Sequence, residues 1–190
     1  MPFLEARKMS EYRRVRCLFC TVGKEREVVT LIRERGYGWA IFPQKVQRRL
    51  NKSTRQWDEI AGPLLPGYVF LYETEEERIP SGELLGLRSV VKILRYGASG
   101  EEELAGRDLM FAGWLWRTNG MVGKLRVMEV GDRIEIVDSA FETLRGTIRR
   151  VDRRRQTCQV ELDSEGLIRK LWLPYDMIQR LEGEDKFPRG

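Results

Sequence analysis

Through the second half of the chain, apolar and polar positions alternate with a period of two. The runs are Arg133–Val137, Leu144–Asp152, Cys158–Leu162, Leu167–Leu173 and Met177–Leu181, each short and bounded by polar or turn-prone residues. Period-two runs at this spacing predict a small all-β barrel of antiparallel strands, closed so that no long edge is exposed. Gly146 sits between strand residues and is expected at a tight corner or bulge. The first half is mixed. Arg14–Thr21 has the composition of a central strand, and from Gly23 the apolar Val28, Val29, Leu31 and Ile32 fall on one side of an amphipathic helix ended by Gly36. Gly38–Val46 predicts a second strand, with Pro43 at an edge or bulge. Lys45–Arg55 follows as a basic hairpin tip, and Gln56–Ile60 returns as a strand. Tyr68–Tyr72 is apolar or aromatic throughout, the mark of a buried central strand.

Beyond it, Glu73–Glu77 is an acidic turn. Ser81–Leu87 predicts a short helix with Ser81 as its N-cap and Leu84, Leu85 and Leu87 turned inward. Val90–Leu94 is a further strand and Gly97–Glu101 a loop. Glu102–Trp116 has helical spacing at Leu104, Met110, Phe111, Trp114 and Leu115. Thr118–Glu129, with Asn119-Gly120 and Gly123, has the composition of a linker. The expected organisation is α+β: a mobile arm over 1–12, an antiparallel sheet with helices to one side over 13–117, a linker over 118–129, the barrel over 130–182 and a disordered tail over 183–190.

Composition narrows the function classes. The 190 residues are 42% hydrophobic and 33% charged, with a net charge of +5. Before Gly120 there are 20 basic and 16 acidic residues, leaving 14 and 13 after it, so placement of charge matters more than its total. The absence of histidine removes the commonest general base and the His-ligated metals. Cys17-x-x-Cys20 is half a zinc motif, but Cys158 is the sole further cysteine, and a spacing of three on a strand sends the two thiols to opposite faces. Glu101, Glu102 and Glu103 are adjacent rather than convergent, and no Gly-rich phosphate loop occurs. These features point away from an enzyme, a metal and a cofactor. No signal peptide or long apolar span is present, which leads to the expectation of a cytoplasmic chain.

The stretch from Gly131-Asp132 through Gly146, Ile148 and Val151-Asp152 resembles a KOW domain, with Ser139-Ala140 where that family usually has Gly-Pro. The first half resembles the NGN domain of the NusG/Spt5 transcription-elongation family. The residues that carry this are Gly23-Lys24-Glu25, Phe42-Pro43 and Leu65-Pro66-Gly67-Tyr68-Val69-Phe70. Within that family the chain is most similar to the LoaP-type antitermination paralogues. Cys17–Glu25, the basic segment before Trp57, Pro66–Phe70 and Val151–Arg154 carry this closer resemblance.

The resemblance implies a monomer whose NGN domain binds the clamp helices of RNA polymerase. It places Phe42, Leu65, Pro66, Gly67 and Tyr68 on that surface. It also implies a KOW domain that recruits a structured leader RNA or, in other members, a ribosomal protein or termination factor. The candidate RNA-binding residues are Arg145, Arg149, Arg150, Arg153, Arg154 and Arg155, six arginines within eleven positions opposed by Asp152 alone, followed by Arg169 and Lys170. Strand alternation puts Arg145 and Arg149 on one face and Arg150 on the other. Arginine suits RNA because its planar fork grips phosphate or a guanine edge in a bidentate way. A projecting arginine turn could enter an A-form groove widened by a bulge. A solvated turn, or cations steering a protein partner, is the alternative, and Lys45, Arg48, Arg49, Lys52 and Arg55 leave the same choice open. The functions in view are therefore antitermination recruited by leader RNA, a general elongation adaptor whose KOW domain binds protein, and an RNA-binding module of the translation apparatus.

Overall fold

The computed structural model describes residues 12, 14–76, 78–95, 100–130, 133–137, 146–162 and 170–180. Of the arm expected over 1–12 only Tyr12 is among them, and it is buried against Trp116 rather than free; the expected tail, Arg145 and Arg169 lie outside them. In chain order the elements are β1 (Arg14–Cys20), α1 (Glu25–Glu34), β2 (Trp39–Ile41), β3 (Gln44–Leu50), β4 (Trp57–Pro63), β5 (Tyr68–Glu73), α2 (Ser81–Leu85), β6 (Val90–Ile93) and α3 (Gly106–Arg117). They continue as β7 (Met121–Val122), β8 (Leu125–Val130), β9 (Arg133–Ile136), β10 (Gly146–Asp152), β11 (Thr157–Leu162) and β12 (Lys170–Arg180). Two compact units result, one from Met1–Gln44 with Gly62–Val122 and the other from Lys45–Ala61 with Gly123–Gly190.

The first unit is built on an antiparallel sheet in the order β2-β5-β1-β6, with Cys17 opposite Phe70 and Ile41 opposite the same residue from the other side. Because β5 is apolar at nearly every position, both of its faces need cover. On one face Val69 and Leu71 join Leu18, Cys20, Val28, Ile32 and Leu84 in a core closed by α1 and α2. On the other, Phe70 stacks on Phe111 at 5.9 Å between ring centres, and the Tyr72 hydroxyl donates to the Ala112 carbonyl at 2.8 Å. Helices therefore lie on both faces of the sheet, not on one as the sequence suggests. The polar end of the α1 face is closed by a buried pair: Arg16 donates from Nε and Nη2 to the two oxygens of Glu73, and Glu73 also accepts the Ile79 N–H at 2.9 Å. A pair this buried is tolerated because each charge is hydrogen-bonded several times.

Local departures from the sequence reading have identifiable causes. The strand expected over Gly38–Val46 breaks at Phe42-Pro43 into β2 and β3. Pro80, not Ser81, stands at the N-cap of α2, and the Ser81 hydroxyl donates to Glu102 instead. Leu84 and Leu87 are buried, but Leu85 is exposed. The third helix begins at Gly106 rather than Glu102, because the Glu103 backbone forms an isolated antiparallel β-bridge with Arg16 and the Leu104 N–H donates to the Val15 carbonyl at 2.7 Å. Met110 consequently lies on its exposed side.

In the second unit the sheet order is β10-β11-β12-β8-β9, with β9 and β10 brought together at its ends. Leu125, Val127, Cys158, Val160, Leu171, Leu173 and Tyr175 fill its interior. The residues expected as a linker supply β7 and β8. The two last runs expected as separate strands form the single β12, which pairs antiparallel with β11 as far as Pro174 and parallel with β8 from Tyr175 onward. Pro174 cannot donate a ladder hydrogen bond, and it stands where β12 changes partner.

Candidate nucleic-acid interface

Burial of Cys158, Val160 and Leu162 turns the alternate residues Thr157, Gln159 and Glu161 of β11 outward. Pairing across three strands then aligns Arg150, Gln159 and Trp172 in one outer row, and Thr147, Glu161 and Lys170 in the next. The register shifts between Ile148 and Arg150, a bulge that leaves Arg149 as the extra residue. Arg149 and Arg150 are consequently both exposed and both on the outer face. This corrects the simple alternation, which sends Arg150 to the opposite side. Arg149 Nε donates to Glu161, and Lys170 Nζ lies 3.6 Å from the same carboxylate. The hydrogen bond from Arg149, with the charges of Arg149 and Lys170, holds the Glu161 carboxyl below the usual carboxylate range.

Arg153, Arg154 and Arg155 form the β10–β11 turn and are exposed. The Asp152 carboxylate accepts the Arg155 N–H at 2.9 Å, and Gln156 completes the turn at a φ of +50°. Arg149, Arg150 and Lys170 thus share the outer face of the second unit, and Arg153, Arg154 and Arg155 are exposed in the turn that ends it.

The hairpin of β3 and β4 belongs to the same unit. Its tip is tighter than the sequence suggests: Asn51 Oδ1 accepts the N–H groups of Ser53 and Thr54, and Arg55 adopts a φ of +58°. Lys45, Arg48 and Arg49 lie on β3 rather than in the tip. Lys45 Nζ donates to the Trp172 carbonyl, and burial lowers the Lys45 ammonium below the ordinary lysine value. The Arg48 guanidinium sits 5.3 Å from the Trp57 ring centre and donates to Gln156 Oε1 at 2.7 Å. Between them lies a groove of about 550 Å³ lined by Lys45, Arg48, Trp57, Arg155, Thr157 and Trp172. Trp57 is 37% and Trp172 39% exposed. Neither tryptophan stands out by type in the sequence. The available signal is position: Trp172 lies between the inward Leu171 and Leu173, on the polar side of an alternating strand.

In the first unit, Leu65-Pro66-Gly67-Tyr68 form the corner entering β5. Gly67 has a φ of +85°, and a Cβ there would stand 2.7 Å from the Phe19 ring and 3.1 Å from the Cys20 carbonyl. Its N–H donates to Glu25 Oε1 at 2.7 Å, and its carbonyl accepts the Cys20 N–H at 2.8 Å. Two stretches remote in sequence, Gly23-Lys24-Glu25 and Pro66-Gly67, therefore meet through a buried carboxylate. Gly67 is buried and shapes the corner, whereas Pro66 is exposed and Phe42, Leu65 and Tyr68 are half-buried. The Tyr68 ring meets Phe19 edge-on at 5.3 Å, and Lys92 Nζ lies 5.7 Å from the Phe19 ring centre. The Leu64 N–H donates to the Pro43 carbonyl at 2.9 Å, which sets Phe42-Pro43 beside the corner.

Cys17, Cys20 and Cys158 are free and buried. Burial pushes the Cys20 and Cys158 thiols up to about 11 and raises Cys17 further, so none is poised as a nucleophile. Among the described residues, no helix is long and apolar enough to cross a membrane.

No protein-family model matches the chain, and no curated protein matches it. Among solved structures it is similar to Thermotoga maritima NusG, described for its domain interaction, at 19% identity and a TM-score of 0.44, over 85% of this chain and 93% of that one. It is also similar to conformation B of an MjSpt4:Spt5 complex, at 18% identity and a TM-score of 0.31, over 84% of this chain and 91% of that one. Conformation A of that complex gives 19% identity and a TM-score of 0.28, over 84% and 92%.

Proposed function

We propose that this chain is a transcription elongation factor of the NusG/Spt5 kind, specialised for antitermination in the manner of the LoaP type. In this reading the first unit binds RNA polymerase through the corner of Phe42, Leu65, Pro66 and Tyr68, with Gly67 and Glu25 holding the corner's shape. The second unit binds a structured leader RNA, and the complex carries polymerase through terminators. The observation that carries the reading is the outer face of β10–β12. Arg149, Arg150 and Lys170 lie on it, the two arginines brought to the same side by a bulge, and the exposed turn of Arg153, Arg154 and Arg155 stands at its end. Cations concentrated on a rigid sheet fit a phosphate backbone, and an arginine turn beside them can reach into an irregular groove.

A second reading has an observation in its favour. Glu161 takes up part of the charge of Arg149 and Lys170, as expected of a face that receives a protein. On that reading the chain is a general elongation adaptor, coupling polymerase to a ribosomal protein or termination factor.

The discriminating experiment measures binding of the full chain to the leader RNA of the neighbouring gene cluster and to a shuffled RNA of equal length and hairpin content, at two salt concentrations. Tighter binding to the native leader at both salts is the expected result. Equal and strongly salt-dependent binding of the two RNAs would leave the arginines as nonspecific charge and favour the adaptor.

A further inference from the structure

We infer that the groove between the β3–β4 hairpin and β12 is a second nucleic-acid subsite, one that takes unpaired nucleotides by stacking bases on Trp57 and Trp172. It shares Arg155 with the arginine turn but differs from it in chemistry. It rests on the reading of the second unit as a nucleic-acid binder.

Four observations converge on it. Two indoles, each more than a third exposed, line one groove of about 550 Å³. An indole on the outer face of a strand loses apolar burial there, and a planar partner restores it. The Arg48 guanidinium, itself bonded to Gln156, lies over one face of the Trp57 ring, and the Lys45 ammonium donates to the Trp172 backbone carbonyl. Lys45, Arg48, Arg49 and Arg155 line the groove against a single acid, Asp152, and Arg150 lies in the same row as Trp172. Aromatic platforms inside a positive groove are the combination that binds single strands, since every base offers a flat face and every linkage a phosphate. A continuous duplex keeps its bases stacked on each other and offers no free face to the indoles. The groove therefore selects a loop, bulge or single-stranded flank next to the paired segment gripped by the arginines. The geometry favours no particular sugar, so an RNA or a DNA strand satisfies it equally.

The test uses the full chain and two unstructured probes of about eight nucleotides, oligouridine and oligothymidine, beside a fully paired RNA hairpin. Tryptophan fluorescence and anisotropy follow binding to the wild type and to Trp57→Leu and Trp172→Leu. The expected result is quenching by at least one single-stranded probe, and about tenfold weaker binding of it by each variant. The salt slope for that probe should not change, and hairpin affinity should stay within about twofold. Ultraviolet crosslinking of the bound probe to the wild type should map to peptides containing Trp57 or Trp172. This second measurement keeps the inference testable where a variant folds poorly. Failure of both unstructured probes to bind, full retention of binding by both variants, or crosslinks confined to Arg153–Arg155 would overturn it. Because these probes carry no leader sequence, their result is independent of whether the native leader outcompetes its shuffled counterpart. RNA without DNA binding would place the strand in a transcript, and DNA without RNA binding in an opened template.

Discussion

Gly67 is the residue on which the corner of the first unit depends. Its positive φ is costly for any other residue, and an added Cβ would enter the space of the Phe19 ring. Gly67→Ala is expected to lower stability by about 3 kcal/mol, read as a reduced urea midpoint with an unchanged slope. The buried thiols make a separate prediction. Cys20 and Cys158 hold their protons to about 11 in the fold, against an ordinary value of 9.0. The unfolded chain releases those protons first, so stability is full below about pH 9 and falls as pH rises toward 11. Urea midpoints across that range should decline, and replacing both residues by alanine should make the decline shallower, with the more strongly raised Cys17 thiol carrying the remainder. At this scale the sequence was informative where geometry was local. Gly67 and Glu25 stood out as motif residues, but their mutual contact depends on tertiary structure. Strict alternation sends Arg150 to the face opposite Arg149, and the bulge, which alternation does not encode, returns it to the same face. Trp172 passed as a strand residue because its exposure depends on which side of β12 meets the interior.

At the scale of elements, the apolar runs identified most strands and helices, and the boundaries failed where partners decide. β12 is continuous because it exchanges β11 for β8 at Pro174, and residues with linker composition become β8 because β12 offers them an edge. Ser81 gives up the expected cap to bond Glu102, and the third helix starts late because Glu103 and Leu104 are held beside β1. The β10–β11 turn was legible in both place and charge. Converting Arg153, Arg154 and Arg155 to glutamate should leave the fold intact, since all three are exposed. It should weaken RNA binding and reduce the slope of log affinity against log salt by about two. Unchanged affinity and slope would show that the turn is only solvated.

At the scale of the whole molecule the chain forms two compact units. One offers an apolar corner beside a stiff sheet covered on both faces. The other is a five-stranded sheet whose outer surface carries the cations, with two half-exposed indoles at the groove beside it. A first and a second half are expected from the motifs. The membership of the β3–β4 hairpin in the second unit is not, because it depends on contacts such as Lys45 with Trp172 and Lys124 with Glu59. That membership enlarges the candidate interface from a turn to a turn, a sheet face and a groove. The central claim is that this surface directs a polymerase-bound factor to a particular transcript. Transcription in a purified system, on a template carrying the native leader upstream of a terminator, tests it most directly. The account predicts that the full chain raises the fraction of transcripts passing the terminator, and that the increase is lost when the leader is shuffled or Arg153–Arg155 are reversed in charge. Equal read-through on native and shuffled leaders, or none on either, would contradict it.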